Sequence, residues 1–411
     1  MFLRSSLANR CLTLLTGGAW LLLAGVSIAQ AEGLKINSTF EGGVDAWAIT
    51  PRKPGLPPVG TDFREGNSLA DYDSLHLPDS DTKWNYRSVA PWMRFSSTVR
   101  LNTNFEANFK MRADQLLGAH VDVANIDWAP SPYMGLRAGV VNFNTNWCRT
   151  YDVDSPWIAE PDAFCRSNIP MRINNAAPGL QAYSNITFGD YQLQNIVGVY
   201  RPMLFSYETK EFGFNYLALR ENFKRESNRK ISAAMNLLNL QTGTQLRLGV
   251  MRSEQAGIYS PRLIPNDRAR RNLIDNYYLG FDTYLGPTFR FRYSNAQFFS
   301  NDYYDDLPVL KQKHRFQNLE LIYDWKASDM LALGLSRIDQ TASVNDTAFG
   351  VFIDDYWLVK TTSQFISWRH QWGKGIHSII QWTHAAQTNG YFGNRRSGSG
   401  DAVGLRLGYQ Y

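Results

Sequence analysis

The final ten residues constrain the fold more than any other stretch. Val403, Leu405, Leu407, Tyr409 and Tyr411 alternate with Ala402, Gly404, Arg406, Gly408 and Gln410, one apolar row against one small or polar row. A repeat of two marks a strand whose faces meet different surroundings. The same repeat sets Phe105, Ala107, Phe109 and Met111 against Glu106, Asn108, Lys110 and Arg112. It sets Met93, Phe95, Val99 and Leu101 against Arg94, Ser96, Thr98 and Arg100, and Met134, Leu136, Ala138 and Val140 against Gly135, Arg137 and Gly139. No helical period competes with it, so the chain reads as all-β.

The N-terminus decides where these strands fold. Arg4 and Arg10 flank the start of an apolar stretch, Cys11 to Ile28, that ends at Ala29-Gln30-Ala31. A basic region, an apolar core and a small-x-small site make a secretory signal peptide over residues 1–31, which leaves 32–411 as one domain. A retained membrane anchor is the alternative, but Thr13, Thr16, Gly17 and Gly18 interrupt its core. A lipoprotein leader needs a cysteine just after the small-residue site, and Cys11 lies too early. Beyond Ala31 no apolar run approaches the roughly 18 residues of a spanning helix. The exported chain is therefore a soluble β-protein or a membrane barrel, and alternation alone does not separate the two. Aromatics grouped at strand ends, Tyr323 with Trp325 and Trp368 with Trp372, resemble interfacial girdles and favour the barrel. A mean hydropathy of -0.34 is consistent, because a barrel wall is apolar only on alternate residues.

Turn signals give the topology. Short turns are expected near Asn102-Thr103, Pro130-Ser131, Thr242-Gly243, Gly286-Pro287, Ala327-Ser328 and Gly373-Lys374. Long polar connections are expected at about 51–88, 142–178, 254–274, 299–314, 341–356 and 387–400. An antiparallel up-and-down barrel of about 16 strands follows if 179–201 is one long strand. If Gly189-Asp190 turns a hairpin, two more strands give 18.

An export signal, such a strand count, a long loop after an early strand and a final strand ending in Tyr409 and Tyr411 together resemble the Gram-negative outer-membrane porins. The sharpest local likeness is Gly135-Leu136-Arg137-Ala138-Gly139 followed by Tyr151-Asp152-Val153-Asp154-Ser155-Pro156-Trp157, an arginine-bearing strand entering a loop that folds inward. The resemblance implies an integral outer-membrane barrel passing small polar solutes passively. It also implies a homotrimer, assembly through machinery that recognises the final aromatic strand, and a setting of outer-membrane lipid and lipopolysaccharide. The cysteine pair around the loop departs from that pattern.

Lumen residues follow from parity. If Phe109 and Met111 face lipid, then Arg94, Arg100, Lys110, Arg112 and Arg137 face inward, as do Arg290 and Arg292 between Phe289, Phe291 and Tyr293. A charge on the lipid face costs about 2 to 4 kcal/mol at the midplane, so the lumen is the expected place. The loop supplies Asp152, Asp154, Glu160 and Asp162, which are expected to stand across from the arginines and set up a transverse field. An excess of lumen arginine favours anions. Cys148 and Cys165, the only cysteines after the leader, are expected to pair in an oxidising compartment. That bond would stabilise the loop by about 3 kcal/mol.

Other function classes find little support. The 42 basic and 37 acidic residues give a net charge of +5 without a basic run, which excludes a nucleic-acid partner. His76, His120, His314, His370, His377 and His384 stand in no hydrolase or metalloprotease motif, so no catalytic residue, cofactor or metal is expected. Loop acids such as Asp302, Asp305, Asp306, Asp354 and Asp355 read as solvated. The loops are equally placed to present an adhesive surface, and the proline-bearing segment at 51–88 is a lid or plug candidate.

Overall fold

The structure, a computed structural model, describes residues 35–49, 87–114, 118–142, 155–158, 161, 176–200, 229–256, 270–304, 307–346, 351–391 and 394–411. The leader, the cysteine pair, the four loop carboxylates and most of 51–88 lie outside them.

Sixteen antiparallel strands close into one barrel. In chain order they are β1 Lys35–Ile49, β2 Arg87–Arg100, β3 Phe105–Asp114, β4 Gly118–Ser131, β5 Met134–Asn142 and β6 Ala176–Phe188. Next come β7 Tyr191–Tyr200, β8 Arg229–Asn239, β9 Gln245–Ala256, β10 Arg270–Tyr284 and β11 Phe289–Tyr304. The last five are β12 Leu307–Lys326, β13 Asp329–Asp346, β14 Val351–Gly373, β15 Ile376–Tyr391 and β16 Asn394–Gln410. Each strand pairs with its sequence neighbours, and β1 closes the ring against β16 with Asp45 opposite Arg406 and Val44 opposite Leu407.

The predicted alternation is realised on the wall. Leu405, Leu407 and Tyr409 point outward and are 41 to 54% exposed, whereas Ala402 and Arg406 point inward and are nearly buried. Phe105, Trp128, Tyr133, Phe188, Tyr191, Phe289, Trp325, Trp368 and Trp372 form a belt of exposed aromatics at the short-turn end. Phe289 stacks on Tyr323 at 4.4 Å. Such a belt suits rings that bury a face in lipid and keep an edge in the headgroup zone.

The expected short turns are found, with the one at Pro130-Ser131 moved two residues on. Lys374 adopts φ 51° between Gly373 and Gly375, a tight reversal. Two expectations need correction. Gly189-Asp190 does turn a hairpin, between β6 and β7, so 179–201 is not one strand, yet the total is still sixteen. The long connections at 299–314, 341–356 and 387–400 are mostly strand: β11 runs to Tyr304 before β12 begins at Leu307, β13 to Asp346 before β14 at Val351, and β15 to Tyr391 before β16 at Asn394. Polar residues read as loop because alternation fades there. A strand rising above the membrane has water on its outer face, so its backbone pairing persists after the apolar row ends.

Membrane depth should therefore govern tolerance of charge on the outer wall. Leu335→Arg, six residues above the start of β13, is expected to cost about 2 to 4 kcal/mol, and Thr362→Arg, high on β14, under about 1 kcal/mol. Denaturant titration of the barrel refolded into vesicles checks the contrast.

Candidate functional site

The interior is divided by the β5–β6 connection. Its described residues, Ser155 to Ile158 and Pro161, are buried, with Trp157 only 3% exposed. They lie against the far wall, as expected for an inward-folded loop. The Trp157 indole N–H donates to Glu320 Oε2 on β12 at 2.9 Å, and the ring meets Phe365 on β14 edge-on at 6.3 Å. Ile158 N–H donates to Gln381 Oε1 on β15 at 2.8 Å. The Ser367 hydroxyl on β14 donates to the Pro156 carbonyl. On β13, a Cβ added to Gly334 would stand 2.6 Å from Pro161 Cγ, so the absent side chain makes the seat for the loop. Trp157, Phe365, Ile322 and Ala332 form one buried apolar cluster around it.

A polar chain holds this seat together. Asn318 Nδ2 donates to Glu320 Oε1 at 2.7 Å, which leaves the other oxygen for Trp157. Arg292 stands opposite Glu320 in the β11–β12 register and bonds Asp282 on β10 at 3.0 Å. Asp282 also takes both ends of Arg290, at 2.8 and 2.6 Å. A buried carboxylate is tolerable only when such donors satisfy it.

Elsewhere the wall differs from the expected run of bare cations. Arg94, Arg100, Lys110, Arg137, Arg290 and Arg292 do lie on the inward face, but most are paired. Arg94 lies 3.7 Å from Glu41, Arg100 3.6 Å from Glu106, and Arg137 2.7 Å from Asp127. Asp127 also accepts the Tyr183 hydroxyl at 2.8 Å, while the Arg137 guanidinium sits 4.4 Å over the Tyr183 ring. Lys110 is exposed to the lumen. Arg112 stands opposite Arg94 in register, and its side chain lies outside the described residues.

Several partners were passed over in the sequence. Arg406 bonds both oxygens of Asp45 at 2.7 Å, and Trp92 donates to the same carboxylate at 2.9 Å. The guanidinium groups of Arg94 and Arg406 sit 5.0 and 4.8 Å from the Trp92 ring centre. Parity alone places Arg406, Trp92 and Glu320 on the inward face; the loop contacts of Glu320, Gln381 and Ser367 have no local signal. His377 faces inward, 4% exposed, its ring filling the space over Gly408. His384 lies on the outer face beside Asp401 and Trp382.

On the upper interior wall from β10 to β13, Ile274, Tyr278, Ala296, Phe298, Phe316 and Ile338 pack together, each under 4% exposed, among the buried polar residues Asn276, Ser294, His314 and Asn318. Inward side chains that keep contact with water include Lys35, Asn37 and Thr39 on β1, Arg100 on β2 and Lys110 on β3. The loop leans on one wall, and the exposed inward side chains lie on the opposite, ion-paired wall.

No protein-family model matches the sequence, and no curated protein matches it. Solved structures do match. The outer membrane channel DcaP of Acinetobacter baumannii aligns with TM-score 0.55 at 10% identity, over 93% of this chain and 99% of that one. An anion-selective porin from Comamonas acidovorans gives TM-score 0.53 at 12% identity, over 92% and 100%. OmpT, an outer membrane protein of Vibrio cholerae, gives 0.51 at 8%, over 93% and 99%. This chain has the fold of these outer-membrane barrels. The likeness extends over nearly all of each chain, so the strand count and ring closure are shared, while identities this low carry only the fold.

The loop seat makes a sharp expectation. Gly334→Val drives a side chain into Pro161, and Trp157→Ala removes the anchor, losing about 3 kcal/mol of local packing. Both variants are expected to keep the folded barrel and to raise single-channel conductance in planar bilayers. Unchanged conductance in both would show that this contact does not set the aperture.

Proposed function

We propose that the chain is an integral outer-membrane porin that lets small polar solutes diffuse through a water-lined lumen narrowed by the β5–β6 loop. The observation that carries this reading is the loop hydrogen-bonded inside a closed barrel, against β12, β14 and β15, with hydrated charged side chains along β1 to β3. Passive diffusion needs a wall that solutes touch weakly. Arginine–carboxylate pairs supply that wall: they present polarity without a deep well for either ion sign. The excess of cations on it, Lys35 and Lys110 among them, favours anions, in keeping with the anion-selective porin that shares the fold.

Around this core stand the parts that the sequence analysis suggests. Asp152, Asp154, Glu160 and Asp162 lie on either side of the anchored Ser155–Ile158 stretch, near enough in sequence to border the aperture. A Cys148–Cys165 disulfide would brace the loop from both sides. Cleavage near Ala31 would free the barrel for export, and the Tyr409 and Tyr411 row would present the final strand to the assembly machinery. Outer-leaflet lipopolysaccharide would surround a trimer. The reading leaves no role for catalysis, a cofactor or a metal.

Planar-bilayer recording of the refolded residues 32–411 in a salt gradient tests the proposal. A stable open conductance with a reversal potential of anion sign is expected, whereas a chain that never conducts would overturn the porin reading. Lys110→Glu together with Arg100→Glu is expected to shift the reversal potential toward cations. Reduction, or Cys148→Ser, is expected to change conductance and its noise if the bridge braces the loop; an unchanged trace would reject that bridge as a constraint on the aperture.

A further inference from the structure

Register arranges the inward side chains of β1 to β3 in rungs. From the short-turn end upward, the first rung holds Lys35, Arg100 and Glu106, and the second Asn37, Thr98 and Asn108. Thr39, Ser96 and Lys110 make the third, and Glu41, Arg94 and Arg112 the fourth. Asn125 on β4 extends the second rung. Successive rungs are two residues apart, about 7 Å along an antiparallel strand, and neighbouring strands stand about 5 Å apart. The outer two rungs are charged. The inner two are amide and hydroxyl throughout, except for Lys110.

The inner rungs form a connected surface. The Thr98 hydroxyl donates to Asn108 Oδ1 at 3.0 Å, and Asn108 Nδ2 is directed at Asn125 Oδ1 at 3.5 Å. Thr39 and Ser96 share a hydrogen bond of 2.5 Å. An amide or hydroxyl that makes one such bond keeps further donor and acceptor capacity. Asn37 and Lys110 are exposed, and among the described residues no carboxylate pairs with Lys110. In the outer rungs, by contrast, Arg100 stands beside Glu106 and Arg94 beside Glu41.

We propose that Asn37, Ser96, Thr98, Asn108 and Lys110 form a binding strip for a hydroxylated monocarboxylate, a sugar acid, on its way through the lumen. The proposal rests on the porin reading and names the solute class that the β1 to β3 wall takes. A sugar hydroxyl both donates and accepts, and so do the amides and hydroxyls of the inner rungs. The Lys110 ammonium, one rung above Asn108 on the same strand, takes the carboxylate as a point charge. A small inorganic anion would gain the ammonium alone, and a neutral sugar the strip alone. Lys35, two rungs lower, is the next exposed cation toward the short-turn end. A row of modest contacts holds a solute long enough to orient it and weakly enough to release it.

The test uses the refolded barrel, residues 32–411, in planar bilayers at constant ionic strength. Gluconate, sorbitol and butyrate are titrated in turn, and the concentration of each that halves the small-ion current is read. Gluconate is expected to block at a concentration at least tenfold below either of the others. Lys110→Gln is expected to bring gluconate to the level of sorbitol, and Lys110→Arg to keep the margin. Thr98→Val with Asn108→Leu is expected to bring gluconate to the level of butyrate; should that variant fail to fold, Asn37→Ala with Ser96→Ala is read the same way. Equal block of the parent by gluconate and sorbitol overturns the role of Lys110, and equal block by gluconate and butyrate overturns the strip. A parent that conducts without being blocked, or variants blocked as the parent is, overturn the site and leave the porin standing. A parent that never conducts rejects the porin. Calorimetry in detergent then decides the site alone: a tenfold preference for gluconate over butyrate keeps it, and none overturns it.

Discussion

The seam between the first and last strands is the contact on which everything else depends. In hydrocarbon no water is present to satisfy a peptide group, so a sheet crosses a membrane only if it has no edge. Phe40 and Tyr411 exchange both backbone hydrogen bonds, at 3.0 and 2.8 Å, and the register runs on to Ile49 opposite Ala402. On the inner side the seam is clasped by Arg406 on both oxygens of Asp45. The pair spans the one strand contact made between residues far apart in sequence, and its geometry is two-pronged. Because closure joins the two ends of the chain, the register of this seam is tied to that of every other strand pair in the ring.

Once closed, the barrel has an inside to fill, and here the chain spends its polar groups carefully. The loop that crosses the interior brings backbone groups away from bulk water, and three of them have side-chain partners: Trp157 N–H on Ser155 Oγ, Ile158 N–H on Gln381, the Pro156 carbonyl on Ser367. Glu320 is the hinge of the arrangement, one oxygen for Asn318 and the other for Trp157. Its charge is tolerated beside Arg292 in the adjoining strand. Replacing this network with apolar packing would anchor the loop as firmly, but it would leave the backbone groups at the tip without partners.

How much of this was legible in the sequence depends on the range of the interaction. Strand parity is local, and it placed Arg94, Arg100, Lys110, Arg137, Arg290 and Arg292 on the inner wall. The same parity put Arg406 and Glu320 there too, although their importance shows only once their partners are known. Pairing is not local: Arg94 meets Glu41 across the β1–β2 gap, and Trp157 finds Glu320 across the barrel. The strand ends misread at 299–314, 341–356 and 387–400 have a different origin. Alternation reports a difference between the two faces of a wall, so it vanishes where both faces are wet, even though the backbone ladder continues.

That same limit shows along the outward rows of β12 and β13. Below it, period two writes Leu319, Leu321, Leu333 and Leu335 against small or polar inward residues, and the pattern is unmistakable. At Arg315 and Arg337 the outward row turns charged with no change in strand geometry, because the solvent on that side has changed and the sheet has not. The sequence thus records a change of surroundings along one face of β12: an aromatic near the turns at Tyr323, an apolar stretch at Leu319 and Leu321, and charge from Arg315 upward.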